Sequence, residues 1–360
     1  MLAVQQHIKE HGLESLSEKF SIIIKRHSEY NNLVLLKYSQ IDSPMGNPIV
    51  QECRGIILDE DNDWAVVSYG YRKFFNYGEG HAAQIDWSSA RVFEKLDGSL
   101  MTLYHYDNKW QVASSGTPDA GGEVLGTNTK FKELFWKTWD KVGYTLPKET
   151  NCCFMFELMT PYNRIVVRHP EARLVLHGGR NIQTLKELNP IVEAHNHGWE
   201  CAKTFPLQSW DDVVSASKEL NPMENEGYVV CDANYNRVKV KSPQYVAIAH
   251  LKDSFTTRRM LEIVRTNEQS EFLQYYPEYS DIFYDIKVRY ERLVGQIEGF
   301  YEAIKDIEDR KEFANKATTQ KYSGTLFGLK FGKVSSIHES LADMNIRHLE
   351  KWLGLKSIEL

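Results

Sequence analysis

The stretch VFEKLDGSLMTLYHY, residues 92–106, places Lys95 at the lip of a short charged turn between two strand-like runs, with Asp97, Gly98 and Ser99 following it. A lysine amine attacks phosphorus or a carbonyl carbon only when it is neutral, and near pH 7 that requires burial or neighbouring cations. Lys95 follows Val92 and Phe93, which are expected to be partly buried. Cations are also at hand. RVKVKS, residues 237–242, sets Lys239 and Lys241 two apart on a strand, so both side chains leave the same face. Such a pair is costly unless an anion lies between the two charges, and a triphosphate is such an anion. Gly98 would let the backbone approach a ligand closely, and Ser99 adds a hydroxyl.

Two carboxylates stand in otherwise apolar strands. Glu157 follows a near-continuous apolar run in CCFMFELMT, residues 152–160, and Glu226 precedes a glycine and an apolar run in NEGYVV, residues 225–230. A carboxylate at the end of a buried strand needs a partner; ribose hydroxyls or the hydration shell of Mg²⁺ would serve. Arg54 in QECRGIIL and Lys73 before two phenylalanines in YRKFFNYGE occupy similar settings. Each residue taken singly has a plainer reading. Lys95 would be a solvated turn lysine, Lys239 and Lys241 the wet face of a strand, and Glu157 and Glu226 strand-end charges paired with arginines. The plain readings would have to hold at every one of these places in order.

The elements that must position these groups are legible from periodicity. Residues 1–30 read as helical, with Leu2, Ile8, Leu13, Leu16 and Phe20 near helical spacing. From Asn31 onward the chain becomes a series of short β-branched or aromatic runs separated by Gly, Asn, Asp or Pro, among them RGIILDE, RVFEKLDGS, CCFMFELMT, RIVVRH, RLVLHGGR, EGYVVCD and RVKVKS. One helix, TKFKELFWKTWDKV, interrupts them. After about Ser242 the pattern changes to long amphipathic helices. The expected fold class is α+β over residues 1–243, then an all-helical domain over 244–360.

The totals exclude several classes. The chain has 360 residues, enough for two domains, with a net charge of −6. That charge announces no nucleic-acid binder, so any nucleic acid must meet a local basic surface. No run of eighteen apolar residues is present, which predicts no membrane span. The N-terminus does not read as a signal peptide. The five cysteines include no C-x-x-C pair, which argues against zinc and for a reducing, cytoplasmic setting.

The order Lys-x-Asp-Gly, Glu in an aromatic strand, Glu-Gly, then Lys-x-Lys resembles the covalent nucleotidyltransferases, meaning ATP-dependent ligases and capping enzymes. ECRGIIL, KFFN, KLDGSL, FELMTPYNRIV, EGYVV and VKVKS together resemble the RNA ligase 1 family of T-even bacteriophages, over most of residues 30–245. The resemblance implies a nucleotidyltransferase domain of antiparallel sheets with flanking helices, and an enzyme that joins RNA 3′-hydroxyl and 5′-phosphate ends in RNA repair through lysyl-AMP and RNA-adenylate. Lys95 would be the nucleophile. Tyr38, Arg54 and Lys73 would contact the adenosine and phosphates of ATP. Lys239 and Lys241 would hold the α-phosphate and the leaving pyrophosphate. Glu157 and Glu226 would meet ribose or water on Mg²⁺, for which Mn²⁺ can substitute, and Glu271 falls where the family has an acid near the metal. Leu96 departs from the acid that T-even ligases tend to carry there. A capping-type guanylyltransferase shares the lysine motif but usually ends in a strand-rich OB-fold, whereas this C-terminus reads as helical. A catalytically inactive nucleic-acid-binding relative would not be expected to keep the whole set.

RNA ends are the implied partner, with no protein partner and no membrane. The segment 309–333 is locally basic in an acidic chain, with Lys316, Lys321 and Lys330 among its cations and Phe313, Tyr322, Phe327 and Phe331 between them. Phosphate contacts with aromatic stacking suit single-stranded RNA. A helical surface with a buried apolar face explains the same spacing.

Overall fold

The computed structural model describes residues 1–124, 127–163, 165–250, 256–275 and 277–355. The chain divides into two compact units. One is Met1–Ser39 with Ser43–Ala249, and the other is Gln40–Asp42 with His250–Leu360.

The strands of the first unit, in chain order, are β1 (Ile22–Arg26), β2 (Leu33–Tyr38), β3 (Arg54–Asp59), β4 (Ala65–Ser68), β5 (Phe75–Asn76), β6 (Arg91–Lys95), β7 (Ser99–Tyr106) and β8 (Lys109–Ser114), followed by β9 (Cys152–Met159), β10 (Arg173–Asn181), β11 (Glu187–Leu188), β12 (Glu200–Cys201), β13 (Thr204–Phe205), β14 (Gly227–Cys231) and β15 (Arg237–Lys241). They form three sheets, ordered β1-β2-β3-β4, β11-β10-β9-β7-β8 with β12 beside β10, and β13-β6-β14-β15-β5. The pairings are antiparallel except at two edges, where β12 runs parallel to β10 and β5 parallel to β15.

β9 shows why its sequence is apolar throughout. Alternate side chains of a strand face opposite ways. Cys152, Phe154, Phe156 and Leu158 pack on one face with Leu134, Phe135 and Trp139 of the helix Phe131–Val142. Cys153 and Met155 face the other way, with Leu35 and Ile57 of the first sheet. Both faces are covered, so no polar alternation remains. Each fully buried Phe contributes roughly 1.5–3 kcal/mol of transfer free energy. The same alternation puts Glu157 on the face of Cys153 and Met155, away from the helix.

Several elements differ from the sequence expectation. Residues 1–30 are not all helical. Helices span Ala3–His11 and Ser15–Phe20, then Ser21 turns left-handed (φ 54°) and β1 begins. The consecutive isoleucines 22–24 are β-branched and suit a strand. The stretch RIVVRH is no strand among its described residues, and Val166 and Val167 give their N–H groups to a side chain instead. Helices at Pro190–His197 and Trp210–Glu219 go beyond the sequence expectation; Asn189 and Ser209 cap them, accepting from Ile191 N and Asp212 N. The cysteines form no disulfides, and burial pushes the Cys152 thiol up to about 11.

The second unit is helical in its described residues. Helices include Thr257–Arg265, Gln269–Tyr275, Ser280–Ile304, Arg310–Ala317 and Ser323–Lys330. The final amphipathic stretch is two short helices, Ile337–Ala342 and Ile346–Trp352, each with a capping Ser or Asn at its start. The first of the helices expected after Ser242 is YVAIAHLKDSFTTRRMLEIVR, residues 245–265, of which 251–255 lie outside the described residues. Among the described residues, no helix is long and apolar enough to cross a membrane.

Candidate active site

The register of the third sheet gathers the cations. Gly227 of β14 faces Lys95 on one side and Lys241 on the other. Two residues along, Val229 faces Phe93 and Lys239. By alternation Arg91, Phe93, Lys95, Val229, Cys231, Arg237, Lys239 and Lys241 share one face of this sheet. The opposite face carries Val92, Tyr228, Val230 and Val240 against Val213 of the helix Trp210–Glu219. An apolar face anchored on a helix therefore holds a basic face outward.

Glu226, just before β14, lies among these cations. Its Oε2 is 2.7 Å from Lys95 Nζ and its Oε1 is 3.5 Å from Lys241 Nζ. The carboxylate is only 6% exposed. Sequence reasoning expects an anion near the lysines and takes it to be the substrate; the structure shows that the protein supplies one of its own. Glu226 thereby offsets part of the field that Lys241 exerts on the Lys95 amine. The close packing of β14 requires glycine at 227, where a Cβ would fall 2.1 Å from the carbonyl oxygen of Val240.

Lys95 borders two clefts. The larger, of about 470 Å³, is lined by Lys95, Arg91, Phe93 and Arg237 from the third sheet and by Glu157 and Arg54 from the other two. The smaller, about 170 Å³, includes Lys95, Glu226 and Arg168. Arg54, expected as a phosphate or ribose contact, opens β3. Its guanidinium lies 5.0 Å over the Phe74 ring, and its Nη1 is buried without a hydrogen-bond partner. A buried cation with a free donor calls for an anionic ligand. Lys73 and Tyr38 lie together, with Lys73 Nζ 5.0 Å over the Tyr38 ring. Neither lines the larger cleft, and neither do Lys239 and Lys241.

Glu157 reaches the larger cleft, where its Oε2 lies 3.4 Å from His177 Nε2. Arg237, His177 and Tyr71 escape sequence reasoning. Arg237 is buried, 2.5 Å from Glu187 and 4.4 Å over the Tyr71 ring. Its place beside Lys239 and Lys241 in RVKVKS is a usable signal. Nothing local singles out His177. Glu271 belongs to the second unit and is buried there.

Asp97 and Gly98 hold the turn after Lys95 against its neighbours. Asp97 is 3% exposed and accepts from Val166 N (3.0 Å), Val167 N (2.7 Å) and the Tyr245 hydroxyl (2.9 Å). It fixes the turn after Lys95 and takes no part in the larger cleft. A Cβ on Gly98 would lie 2.5 Å from the carbonyl oxygen of Leu158, so the close approach is to β9 as well as to the cleft. Asp97→Ala leaves three donors without their acceptor. At about 1–3 kcal/mol per unsatisfied buried group, destabilisation of roughly 3 kcal/mol or more is expected, read as a lower midpoint in urea unfolding.

The basic segment of the second unit is less open than expected. Phe313 and Tyr322 are buried, which removes them as stacking platforms, whereas Phe331 is 43% exposed. Lys321 Nζ donates to the Trp352 carbonyl (3.1 Å) and Lys330 Nζ to that of Lys305, while Lys316 pairs with Glu312 at 3.5 Å. Lys321 and Lys330 thus close helix ends, a place where cations are favoured.

The family description "RNA ligase" matches residues 52–245, the stretch that carries both clefts. The chain is 24% identical over 379 residues to an RNA ligase of Rhodothermus phage RM378, covering 84% of this chain and 86% of that protein. It is 27% identical over 300 residues to a putative bifunctional polynucleotide kinase/RNA ligase of Autographa californica nuclear polyhedrosis virus, covering 77% of this chain but spanning only 42% of that longer protein. Among solved structures, an archaeal ATP-dependent RNA ligase is similar with a TM-score of 0.48 at 12% identity, over 89% of this chain and 90% of that one. A Naegleria gruberi RNA ligase solved with ATP and Mn gives a TM-score of 0.35 at 13% identity, over 45% and 51%. The match runs through Arg54, Lys95, Glu157, Glu226, Lys239 and Lys241, and with more than half of its length matched, the chain belongs to the RNA ligase family.

Proposed function

We propose that this protein is an ATP-dependent RNA ligase that joins 3′-hydroxyl and 5′-phosphate RNA ends, with Lys95 as the nucleophile. The observation that carries the reading is Lys95 at the border of a basic cleft, its Nζ 2.7 Å from a buried carboxylate. In the first step Lys95 Nζ attacks the α-phosphorus of ATP. An N–P bond forms, the bond to the bridging oxygen breaks, and pyrophosphate leaves. Glu226 Oε2 is the nearest acceptor for the proton the amine sheds. AMP then passes to the RNA 5′-phosphate, and the 3′-hydroxyl finally attacks that phosphate and expels AMP. All three steps are displacements at phosphorus, so the protein's task is positioning and charge neutralisation. In this reading Lys239 and Lys241 meet the α-phosphate and leaving group, Arg54 the phosphates or ribose, and Lys73 with Tyr38 the adenosine side.

A divalent cation fits this chemistry. Among the described residues no group of three or more His, Cys, Asp or Glu side chains forms a metal cage. Mg²⁺ usually keeps several waters and is held by one or two carboxylates plus substrate phosphates. Glu157 lines the larger cleft and Glu226 the smaller, among other carboxylates, and these two would hold the cation; it would neutralise phosphate charge there. The reading is tested by incubating the protein with ATP, Mg²⁺ and a 5′-phosphorylated RNA oligonucleotide. Conversion of the 5′-phosphate to a phosphatase-resistant form supports it. Label transferred to the protein from GTP and not ATP would favour a guanylyltransferase instead.

The helical unit is proposed to select the RNA. Neutralising Lys316, Lys321 and Lys330 to glutamine, which keeps a donor for the helix-end carbonyls, should leave Lys95 adenylation near normal. The dependence of RNA affinity on salt should flatten by about 0.7 in slope for each phosphate the protein no longer neutralises. An unchanged slope places the RNA on other residues.

A further inference from the structure

His177 lines the larger cleft and has no part in the chemistry above. The β9–β10 ladder shifts register between Leu176 and Gly178, which leaves His177 as a bulge residue. Bulges beside active sites re-aim a side chain. The Tyr71 ring stacks on His177 at 5.6 Å, and its hydroxyl lies 2.9 Å from His177 Nδ1 and 2.7 Å from the His177 carbonyl oxygen. Gly178 permits this approach, since a Cβ there would overlap the hydroxyl. The hydroxyl has a single proton, and the carbonyl has none to offer. The hydroxyl therefore donates to the carbonyl, and the ring donates Nδ1–H to the hydroxyl oxygen. In the neutral ring Nε2 is then an acceptor. That atom is buried and has no hydrogen-bond partner, and the group facing it, Glu157 Oε2 at 3.4 Å, is an acceptor too.

Two acceptors side by side at a cleft are matched by two donors on one ligand. We propose that His177 Nε2 and the Glu157 carboxylate together receive the vicinal hydroxyls of the nucleotide ribose, so that His177 selects ribonucleotides over deoxyribonucleotides; this rests on the nucleotide reading of the cleft. The sequence signal is the glycine pair after a histidine in RLVLHGGR, which frees the backbone to bulge there.

The test is adenylation of the full chain with ATP, 2′-deoxy-ATP and 3′-deoxy-ATP, and labelling with inosine triphosphate as a base control, in wild type, His177→Gln and His177→Asn. Glutamine places an amide near the position of Nε2, whereas asparagine preserves only the Nδ1 side next to Tyr71. His177→Gln should keep the preference for ATP. His177→Asn should lose about three- to tenfold in kcat/KM with ATP and less with one deoxy analogue, the loss of one neutral hydrogen bond. If His177 only anchors Tyr71, asparagine is the better replacement and all three nucleotides fall together, which overturns the assignment. A change confined to ATP against inosine triphosphate would move the contact to the base and overturn it too. A wild-type protein that accepts no label from any nucleotide is a different failure, that of the proposed function itself.

Discussion

Lys95→Ala yields a folded protein that takes no covalent label from ATP and joins no 5′-phosphate RNA. Lys95→Ala also breaks the pair with the buried Glu226, which keeps Lys241 at 3.5 Å, so the unfolding midpoint should fall while the protein still folds. Removing the nucleophile removes a bond-forming atom, and the expected loss reaches the detection limit. Sealing of chemically pre-adenylated RNA should survive in part, because the last step uses the RNA 3′-hydroxyl as nucleophile. A Lys95→Ala protein that still forms an adduct with AMP would move the nucleophile elsewhere.

Glu226→Ala is expected to have the next largest effect. The carboxylate is buried between Lys95 and Lys241, and its removal sets two ammonium groups against each other. Breaking a buried pair by deleting one partner costs about 3–5 kcal/mol. Adenylation should fall by at least about a hundredfold, and the melting temperature should drop as well. Glu226→Gln keeps the shape and one acceptor and should fall between wild type and alanine. Raising Mg²⁺ separates the roles: rescue by the metal points to its hydration shell, and no rescue points to the lysine pair. Wild-type adenylation in both variants would reduce Glu226 to a strand-end charge.

The legible part of the site is the part written at short range. Lys239 and Lys241 share a face because they are two apart on a strand, and Glu157 interrupts an apolar run that has to be buried. The series of short strands and the change to helices after Ser242 follow from periodicity in the same way. Long-range register is not written locally. That Gly227 pairs with both Lys95 and Lys241, and so seats Glu226 between them, depends on β14 meeting β6, far back along the chain, as well as its neighbour β15. The same holds for Asp97, whose partners lie in residues 166–167 and at Tyr245. RIVVRH fails as a strand because Asp97 takes the N–H groups that a ladder would need. His177 escapes notice because a β-bulge, and not a motif, gives it its direction.

The central claim is that Lys95 becomes bonded to AMP. The most direct measurement is incubation of the wild-type chain with α-labelled ATP and Mg²⁺, then proteolysis and mass spectrometry of the labelled peptide. The account predicts acid-labile AMP in phosphoramidate linkage on Lys95, absent when pyrophosphate is added in excess to reverse the step. AMP mapped to any other residue, or RNA joined with no protein-bound intermediate at all, would contradict it.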